Sequence, residues 1–261
     1  MPTVITITTD FGSKDPYAAE MKAVILSISP NVSIVDITHD VEKFDVRMAA
    51  YVLACAAPYF PAGTIHVAVV DPSVGTRRRA LIVQTQSAFY VGPDNGVLAL
   101  ATNIQGVKHT FEITNRKYML SKISNTFHGR DIFAPAAAHL ANGTQPKEFG
   151  PEIRRISTPV FARVIRRKNT LIGAVLHIDG FGNIITNFRE EELDWMNIKE
   201  TLTFKIKNHK LRLRLGQTYA EVKKKEAIAL FGSHNFLEVA VNRGNAAATY
   251  KVKRGDKITI V

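Results

Sequence analysis

An α/β domain followed by a smaller all-β barrel is the fold this sequence predicts, and three observations predict it. Across residues 1–150, strand-like apolar runs alternate with helix-like segments. After Gly150 the pattern becomes one of short strands separated by turn or charged residues, with little helical periodicity. Single charged residues also stand at the ends of apolar runs, at Asp10 and Asp71, where core packing alone would not place them. A carboxylate at the carboxyl end of a buried strand lies at the rim of the sheet, in the crevice where open α/β folds bind ligands.

The elements follow in order. Val4-Ile5-Thr6-Ile7-Thr8 is a first strand. Asp15-Pro16 then supplies an N-cap and a proline at the first helical position, and residues 17–27 carry apolar side chains at helical spacing. Residues 32–37 form a second strand, 45–57 a helix, 64–70 a third strand, and 81–85 and 88–91 two more. Pro93-Asp94-Asn95-Gly96 is a turn before the short apolar stretch 97–101. Residues 131–141 form an Ala-rich helix that stops at Asn142-Gly143. Such an order implies a mostly parallel sheet covered by helices. Pro151 and Pro159 bracket a polar connector, and strands follow at 171–178, 202–206, 211–215, 227–231, 237–241 and 257–261. The domains are therefore assigned as residues 1–150 (α/β), 151–169 (connector) and 170–261 (barrel). No internal repeat or low-complexity tract interrupts them.

Composition excludes several functional classes. A chain of 261 residues, 46% hydrophobic and 22% charged, has the balance of a globular protein large enough for two cores. No apolar run approaches the ~18–20 residues of a membrane span. The N-terminus enters a strand at once, without the layout of a signal peptide, so a cytoplasmic address is expected. Cys55 is the only cysteine, which leaves no internal disulfide and no cysteine-rich zinc site. His109, His139 and His177 lack metal-ligand spacing, and no metal or other cofactor is expected. Phosphate-cradling glycine loops and the Gly-x-Ser-x-Gly nucleophile elbow are absent.

Charge is uneven. Residues 1–150 carry 13 Lys+Arg against 12 Asp+Glu, and residues 151–261 carry 21 against 11, which together give the net +11. Such asymmetry can mark a nucleic-acid surface. Here the clusters Arg166-Arg167-Lys168 and Lys223-Lys224-Lys225 are short, fall at expected loops and lack interleaved aromatics for base stacking. A solvated basic surface, with no nucleic-acid or membrane partner, is the reading adopted.

The candidate site residues lie in three stretches: Thr8-Thr9-Asp10-Phe11-Gly12, Val70-Asp71-Pro72-Ser73-Val74-Gly75-Thr76-Arg77-Arg78, and Thr126-Phe127-His128-Gly129-Arg130-Asp131. Two rim carboxylates, an arginine seven residues after the second and a histidine in a glycine-containing turn make a plausible active site. Asp71 also suits a turn before Pro72, and His128 suits a cap held by its own turn. Asp10 can accept hydrogen bonds from two adjacent hydroxyls, as a ribose presents.

With residues 34–39, 59–78, 92–96, 178–187 and 232–247, these stretches closely resemble the S-adenosyl-L-methionine hydrolases, also called hydroxide adenosyltransferases. The chain resembles the S-adenosyl-L-methionine-dependent fluorinases and chlorinases more distantly. The resemblance runs through nearly the whole chain in order. It implies an N-terminal α/β domain, a C-terminal barrel, and a homotrimer binding substrate between one subunit's first domain and its neighbour's second. It implies hydrolysis of S-adenosyl-L-methionine at ribose C5′ to adenosine and L-methionine. It maps an Asp-Arg-His triad onto Asp71, Arg78 and His128, with Arg78 chosen by spacing between Arg77 and Arg79. Asp10 becomes the ribose clamp, and Asp71 also touches substrate. Asn183, Ser233 and Glu238 become substrate contacts, and Val241 offers main-chain groups to adenine. Residence in a core strand accounts for Val241 equally well, and a Gly-Asn turn is compatible with the role of Asn183. Asp15 is placed to reach the methionine ammonium, although helix capping accounts for it. Phe44 and Asp45 line up with a substrate-covering loop of the halogenating relatives.

The chemistry agrees with that assignment. A sulfonium leaves as a neutral thioether and needs no proton, so the difficulty lies with water, whose pKa is ~15.7. The protein must align a water behind C5′ and stabilise its developing hydroxide character. The halogenating relatives place a tyrosine at the position of Asp71 and a serine at that of His128. An anionic carboxylate at ~4 Å costs a halide about 1 kcal/mol even in water, and more in a dry pocket. Hydrolysis is therefore preferred over halogenation. A non-catalytic nucleoside sensor would keep Asp10 and Asn183 but gain nothing from the triad.

Overall fold

Alternation within the first strand gives it two different faces. Ile5 and Ile7 point into one apolar layer, while Thr6 and Thr8, also buried, point to the other. Strands covered on both faces suit a parallel sheet between helix layers. The computed structural model, which describes residues 2–196 and 200–261, shows that arrangement in the first of two compact units, Met1–Thr158 and Pro159–Val261.

The first unit runs β1 (Val4–Thr9), α1 (Tyr17–Ile28), β2 (Ser33–Thr38), α2 (Val46–Ala56), β3 (Ile65–Val69), β4 (Ala80–Thr85), β5 (Phe89–Pro93), α3 (Ala99–Gln105), β6 (Val107–Glu112) and α4 (Ala134–Ala141). Strand order in the sheet is β2-β1-β3-β5-β4-β6. β2, β1, β3 and β5 are parallel, and β4 is antiparallel to both β5 and β6. The mostly parallel sheet predicted from the alternating pattern is thus present, with an antiparallel margin. Met21 and Ile25 of α1 and Ala134, Ala136 and Ala137 of α4 pack on Ile5, Ile7, Val67 and Val69. Helix α2 is capped by Asp45, whose carboxylate accepts from Met48 N–H at 2.9 Å.

One expectation needs correction, and two segments left unassigned take regular structure. The N-cap of α1 is Pro16, not Asp15, and no side-chain capping bond is made. Pro16 already has helical φ, and its carbonyl accepts the Glu20 N–H, so Asp15 is left outside the helix. Residues 97–101 run into α3, a helix buried over its first turn and therefore without an amphipathic signature. β6 is an edge strand whose Val107, Lys108 and His109 are exposed, so it lacks the apolar run that marks a buried strand.

The second unit is a barrel: β7 (Ile165–Arg167), β8 (Thr170–Ile178), β9 (Ile184–Arg189), β10 (Thr201–Ile206), β11 (His209–Gly216), β12 (Ala227–Phe231), β13 (Phe236–Val241), a short α5 (Ala246–Tyr250) and β14 (Lys257–Ile260). The order β14-β10-β11-β12-β13-β9-β8 closes through a β14–β8 pairing into a seven-stranded ring, and β7 pairs with β8. Period-two burial drives the closure. Leu202, Phe204 and Ile206 face the interior, while Thr201 and Lys205 face water. Arg166 and Arg167 lie in β7 rather than in the loop expected for them, and the Arg166 guanidinium sits 3.7 Å from the Trp195 ring centroid.

One buried group of the sheet carries a pH dependence. His66 on β3 is fully buried, hydrogen-bonded at Nδ1 to Thr6 Oγ1 (2.7 Å) and stacked on Tyr90 at 4.9 Å. Burial pushes its pKa from 6.5 down to about 4. Between those values the unfolded chain binds a proton that the folded chain refuses. Stability therefore falls as pH falls through that window, by about 3 kcal/mol in all. Urea midpoints at pH 7 and pH 4.5 should show a smaller acid loss for His66→Gln than for wild type. Equal losses would remove His66 as the cause.

Candidate active site

β1 and β3 are parallel neighbours, so the residues that follow them emerge at the same rim. Asp10 follows Thr9 directly, and Asp71 comes two residues after Val69. Both line a cleft of about 390 Å³ in the first unit, together with Asp15, Lys43, Phe44 and His128. Its aromatic wall is a trio in which Phe11, Tyr17 and Phe127 meet at centroid distances of 5.2 to 5.7 Å. Asp10 is 7% exposed and accepts from Phe44 N–H at 2.9 Å, while the Lys43 ammonium donates to the Asp10 carbonyl. Phe44 has φ 67° and is 70% exposed, a left-handed conformation uncommon for an aromatic residue, held by its hydrogen bond to Asp10.

Asp71, Arg78 and His128 form one hydrogen-bonded chain. Arg78 Nε donates to Asp71 Oδ2 at 2.7 Å, and Arg78 Nη2 reaches the same oxygen. Nη2 also lies 2.8 Å from His128 Nδ1. Arginine has no acceptor, so Nδ1 must accept, and the neutral imidazole carries its proton on Nε2. Burial of His128, and then the Arg78 charge, lower its pKa below 6.5, against the opposing carboxylates of Asp71 and Asp131. The ring is neutral at pH 7. The side chains of Asp71 and Arg78 are 5% and 7% exposed, so the pair is dry and its Coulomb attraction little screened.

Local sequence explains the convergence. A turn follows Asp71, with Val74 N–H donating to the Asp71 carbonyl and Ser73 Oγ to Asp71 Oδ1. Gly75 has φ 78°, and a Cβ there would lie 2.4 Å from the Asn125 carbonyl oxygen, so only glycine lets this loop approach the segment leading to His128. Of the three consecutive arginines, Arg78 reaches Asp71 and His128. Arg79 pairs with Asp94, and Arg77 is exposed.

In the second unit, Asn183 and Val241 line a cavity of about 730 Å³ with Asp179, Phe181 and Tyr219. Asp179 Oδ1 accepts from the Phe181 and Asn183 N–H groups, and Oδ2 accepts from Asn183 Nδ2, all at 2.9 Å. The Asn183 amide is thereby oriented with its oxygen left to accept. Glu238 is 8% exposed and accepts from the Tyr219 hydroxyl at 3.1 Å. Burial raises its pKa, and Asp179 adds to the rise. Ser233 sits in an exposed turn between β12 and β13 and does not line that cavity. Sequence reasoning missed Lys43, Tyr17 and Phe127 in the cleft and Tyr219 in the barrel. Tyr219 follows Thr218, whose hydroxyl caps a short turn closed by Glu221, a pattern that reads as a helix start. Among the described residues no three His, Cys, Asp or Glu side chains converge as a metal-ion set would.

Fold and rim site together define an α/β-plus-barrel enzyme acting on a small molecule. Residues 5–150 match the family model of the SAM hydroxide adenosyltransferase N-terminal domain, and residues 173–259 that of the C-terminal domain. The chain belongs to the SAM hydroxide adenosyltransferase family. It is 35% identical to an (R)-S-adenosyl-L-methionine hydrolase of Methanocaldococcus jannaschii, over 99% of this chain and 95% of that protein. A hydrolase of the same name from Thermus thermophilus is 36% identical over 97% of each chain. A Nocardia brasiliensis fluorinase is 25% identical over 98% of this chain and 96% of that protein. The crystal structure of an uncharacterized conserved protein from Thermotoga maritima superposes with a TM-score of 0.85 at 36% identity, over 98% of this chain and 99% of that one.

Proposed function

We propose that the protein hydrolyses S-adenosyl-L-methionine to adenosine and L-methionine. The observation that carries this reading is the hydrogen-bonded chain Asp71–Arg78–His128 on a cleft that Asp10 shares. A water oxygen forms a bond to ribose C5′ as the C5′–S bond breaks, and the bonding pair leaves on sulfur as the thioether of methionine. Asp71 accepts the proton that water loses, because its Oδ1 is held only by Ser73 while Arg78 occupies Oδ2. His128 donates from Nε2 to the oxygen of the attacking water, since its Nδ1 is committed to Arg78. Arg78 holds the carboxylate and the imidazole in one geometry.

Asp10 uses its remaining lone pairs for the ribose 2′- and 3′-hydroxyls. Asp15, free of a capping role and on the cleft wall, suits the methionine ammonium. In this reading Asn183, Ser233, Glu238 and the main chain at Val241 bind the substrate from a neighbouring subunit of a homotrimer.

Purified protein incubated with S-adenosyl-L-methionine should yield equimolar adenosine and methionine by chromatography. Adding chloride or fluoride should give no appreciable 5′-halogenated nucleoside, because the Asp71 carboxylate repels a halide where it tolerates water. Halonucleoside at rates comparable with adenosine would place the chain on the halogenating branch. Tight adenosine binding without turnover would make it a sensor.

A further inference from the structure

His128 opens a helix whose first turn is irregular. Gly129–Phe133 form a single π-turn in which the Ala134 N–H reaches the Gly129 carbonyl, before α4 continues as an ordinary helix. The extra residue rotates everything upstream by about 100° relative to α4, since an α-helix has 3.6 residues per turn. A wide turn of this kind is rare and needs outside support. The direction of the imidazole depends on it.

That support converges on Asp131. Its side chain is fully buried in the first unit. The carboxylate takes Arg130 Nε at 2.7 Å and Nη2 at 3.4 Å, and it accepts from Ser124 N–H at 2.7 Å. Its backbone adds two bonds, Asp131 N–H to the Phe127 carbonyl and Leu120 N–H to the Asp131 carbonyl. Arg130 then extends to α1, where Nη1 donates to Glu20 Oε2 at 2.7 Å, and its guanidinium lies 4.9 Å from the centroid of Phe127. Gly129 presses the turn against α1 and β3, since a Cβ there would meet Met21 Sδ at 3.2 Å and Val69 Cγ1 at 3.4 Å. A buried carboxylate carries a desolvation cost that an apolar residue would avoid. Here it joins the 120–124 loop, the π-turn and α1 at the residue three places after His128.

We propose that Asp131, with Arg130 and Glu20, is a positioning residue for His128. The pair of its buried carboxylate with the 32%-exposed Arg130 holds the π-turn in the register that keeps His128 Nδ1 on Arg78 and the Nε2 proton toward the reacting water. The proposal rests on the hydrolase reading for its kinetic consequence but not for its structural one. The charged groups around the imidazole are Arg78 and Asp71 from the β3–β4 loop and Asp131 from its own helix, with Asp10, Asp15 and Lys43 elsewhere in the cleft. Removing the Asp131 charge therefore leaves Arg78 less opposed.

The test is Asp131→Asn, with hydrolysis kinetics, adenosine affinity and nitrogen NMR of the His128 ring measured together. A misplacement of about 1 Å costs on the order of 100-fold, so kcat should fall by about that factor with adenosine affinity nearly unchanged. The ring should pass from one Nε2–H tautomer to a mixture and titrate at lower pH than in wild type. Glu20→Gln, at the outer end of the network, should lose only about threefold. If Asp131→Asn does not fold, Arg130→Lys keeps the cation, loses the fork and should show the same tautomer mixture with an intermediate kcat. A folded Asp131→Asn, or failing that Arg130→Lys, with a single Nε2–H tautomer would overturn the proposal, whatever its rate. Because the NMR reads the ring directly, a wild type without hydrolase activity would refute the function and leave this inference to its own result.

Discussion

Asp71→Asn is expected to lose hydrolysis by ~10²–10⁴-fold, the range for removing a positioned general base. Adenosine affinity should stay within about threefold of wild type, because the role assigned to Asp71 falls in the transition state rather than in nucleoside binding. Asparagine keeps the shape and can still accept from Arg78 through its amide oxygen, so the Arg78–His128 contact at 2.8 Å has a way to persist. What it lacks is the charge that takes the proton of water. Near-wild-type hydrolysis by this variant would remove Asp71 as the acceptor. Complete loss of adenosine binding would make it a substrate clamp instead. Truncation to alanine is the harsher change, since it leaves a guanidinium that is 7% exposed without its anion. A lower unfolding temperature for Asp71→Ala than for Asp71→Asn should accompany the kinetic loss.

Activity should return when two inactive proteins, Asp71→Ala and Glu238→Ala, are dissociated, mixed and reassembled. The proposed site takes Asp10, Asp71 and His128 from one subunit and residues 232–241 from the next. In a closed ring of head-to-tail interfaces, about one site in four of a random mixture then unites two intact halves. Recovery toward a quarter of wild-type turnover is the expected reading. If each site were built within one chain, every subunit would carry a defect and activity would stay absent. That outcome, with subunit exchange confirmed by mass-tagged protein, would rule out the shared site. Glu238 suits the experiment because its carboxylate is buried against the Tyr219 hydroxyl, far in sequence from the rim residues it would complement.

Much of the first unit was legible because apolar periodicity and turn residues act locally. Val4–Thr9 alternates, Asp45 caps the helix that follows it, and Asn142-Gly143 ends another. The segments that escaped were those whose local pattern was overridden. Val107–Glu112 is half exposed at a sheet edge, and Ala99–Gln105 starts as a helix too buried to show two faces. Ile184–Arg189 and the short Ile165–Arg167 became strands because barrel closure supplied partners on β8, which no local rule reveals. Asp15 looked like a cap until the carbonyl of Pro16 took the first helical bond.

By itself the sequence determined which chemistry was available. A strand followed by Asp10, a second followed by Asp71, and a histidine entering a helix bring carboxylates and an imidazole to the rim of an α/β sheet, because parallel strands deliver their carboxyl ends to one side. Spacing from Asp71 selected Arg78 over Arg77 and Arg79, but spacing does not say which side chain turns inward. Only the tertiary structure sent Arg78 to Asp71 and His128, gave Arg79 to Asp94 and left Arg77 in water. Folding likewise decided the state of His128, because its tautomer follows from the donor it meets, and that donor lies fifty residues away. It buried the Asp131 carboxylate on a π-turn and paired it with the partly exposed Arg130, where the sequence shows only two adjacent charges. The physical reason is the same throughout. Backbone propensity is a property of neighbours in sequence, whereas desolvation, charge pairing and hydrogen-bond direction depend on neighbours in space.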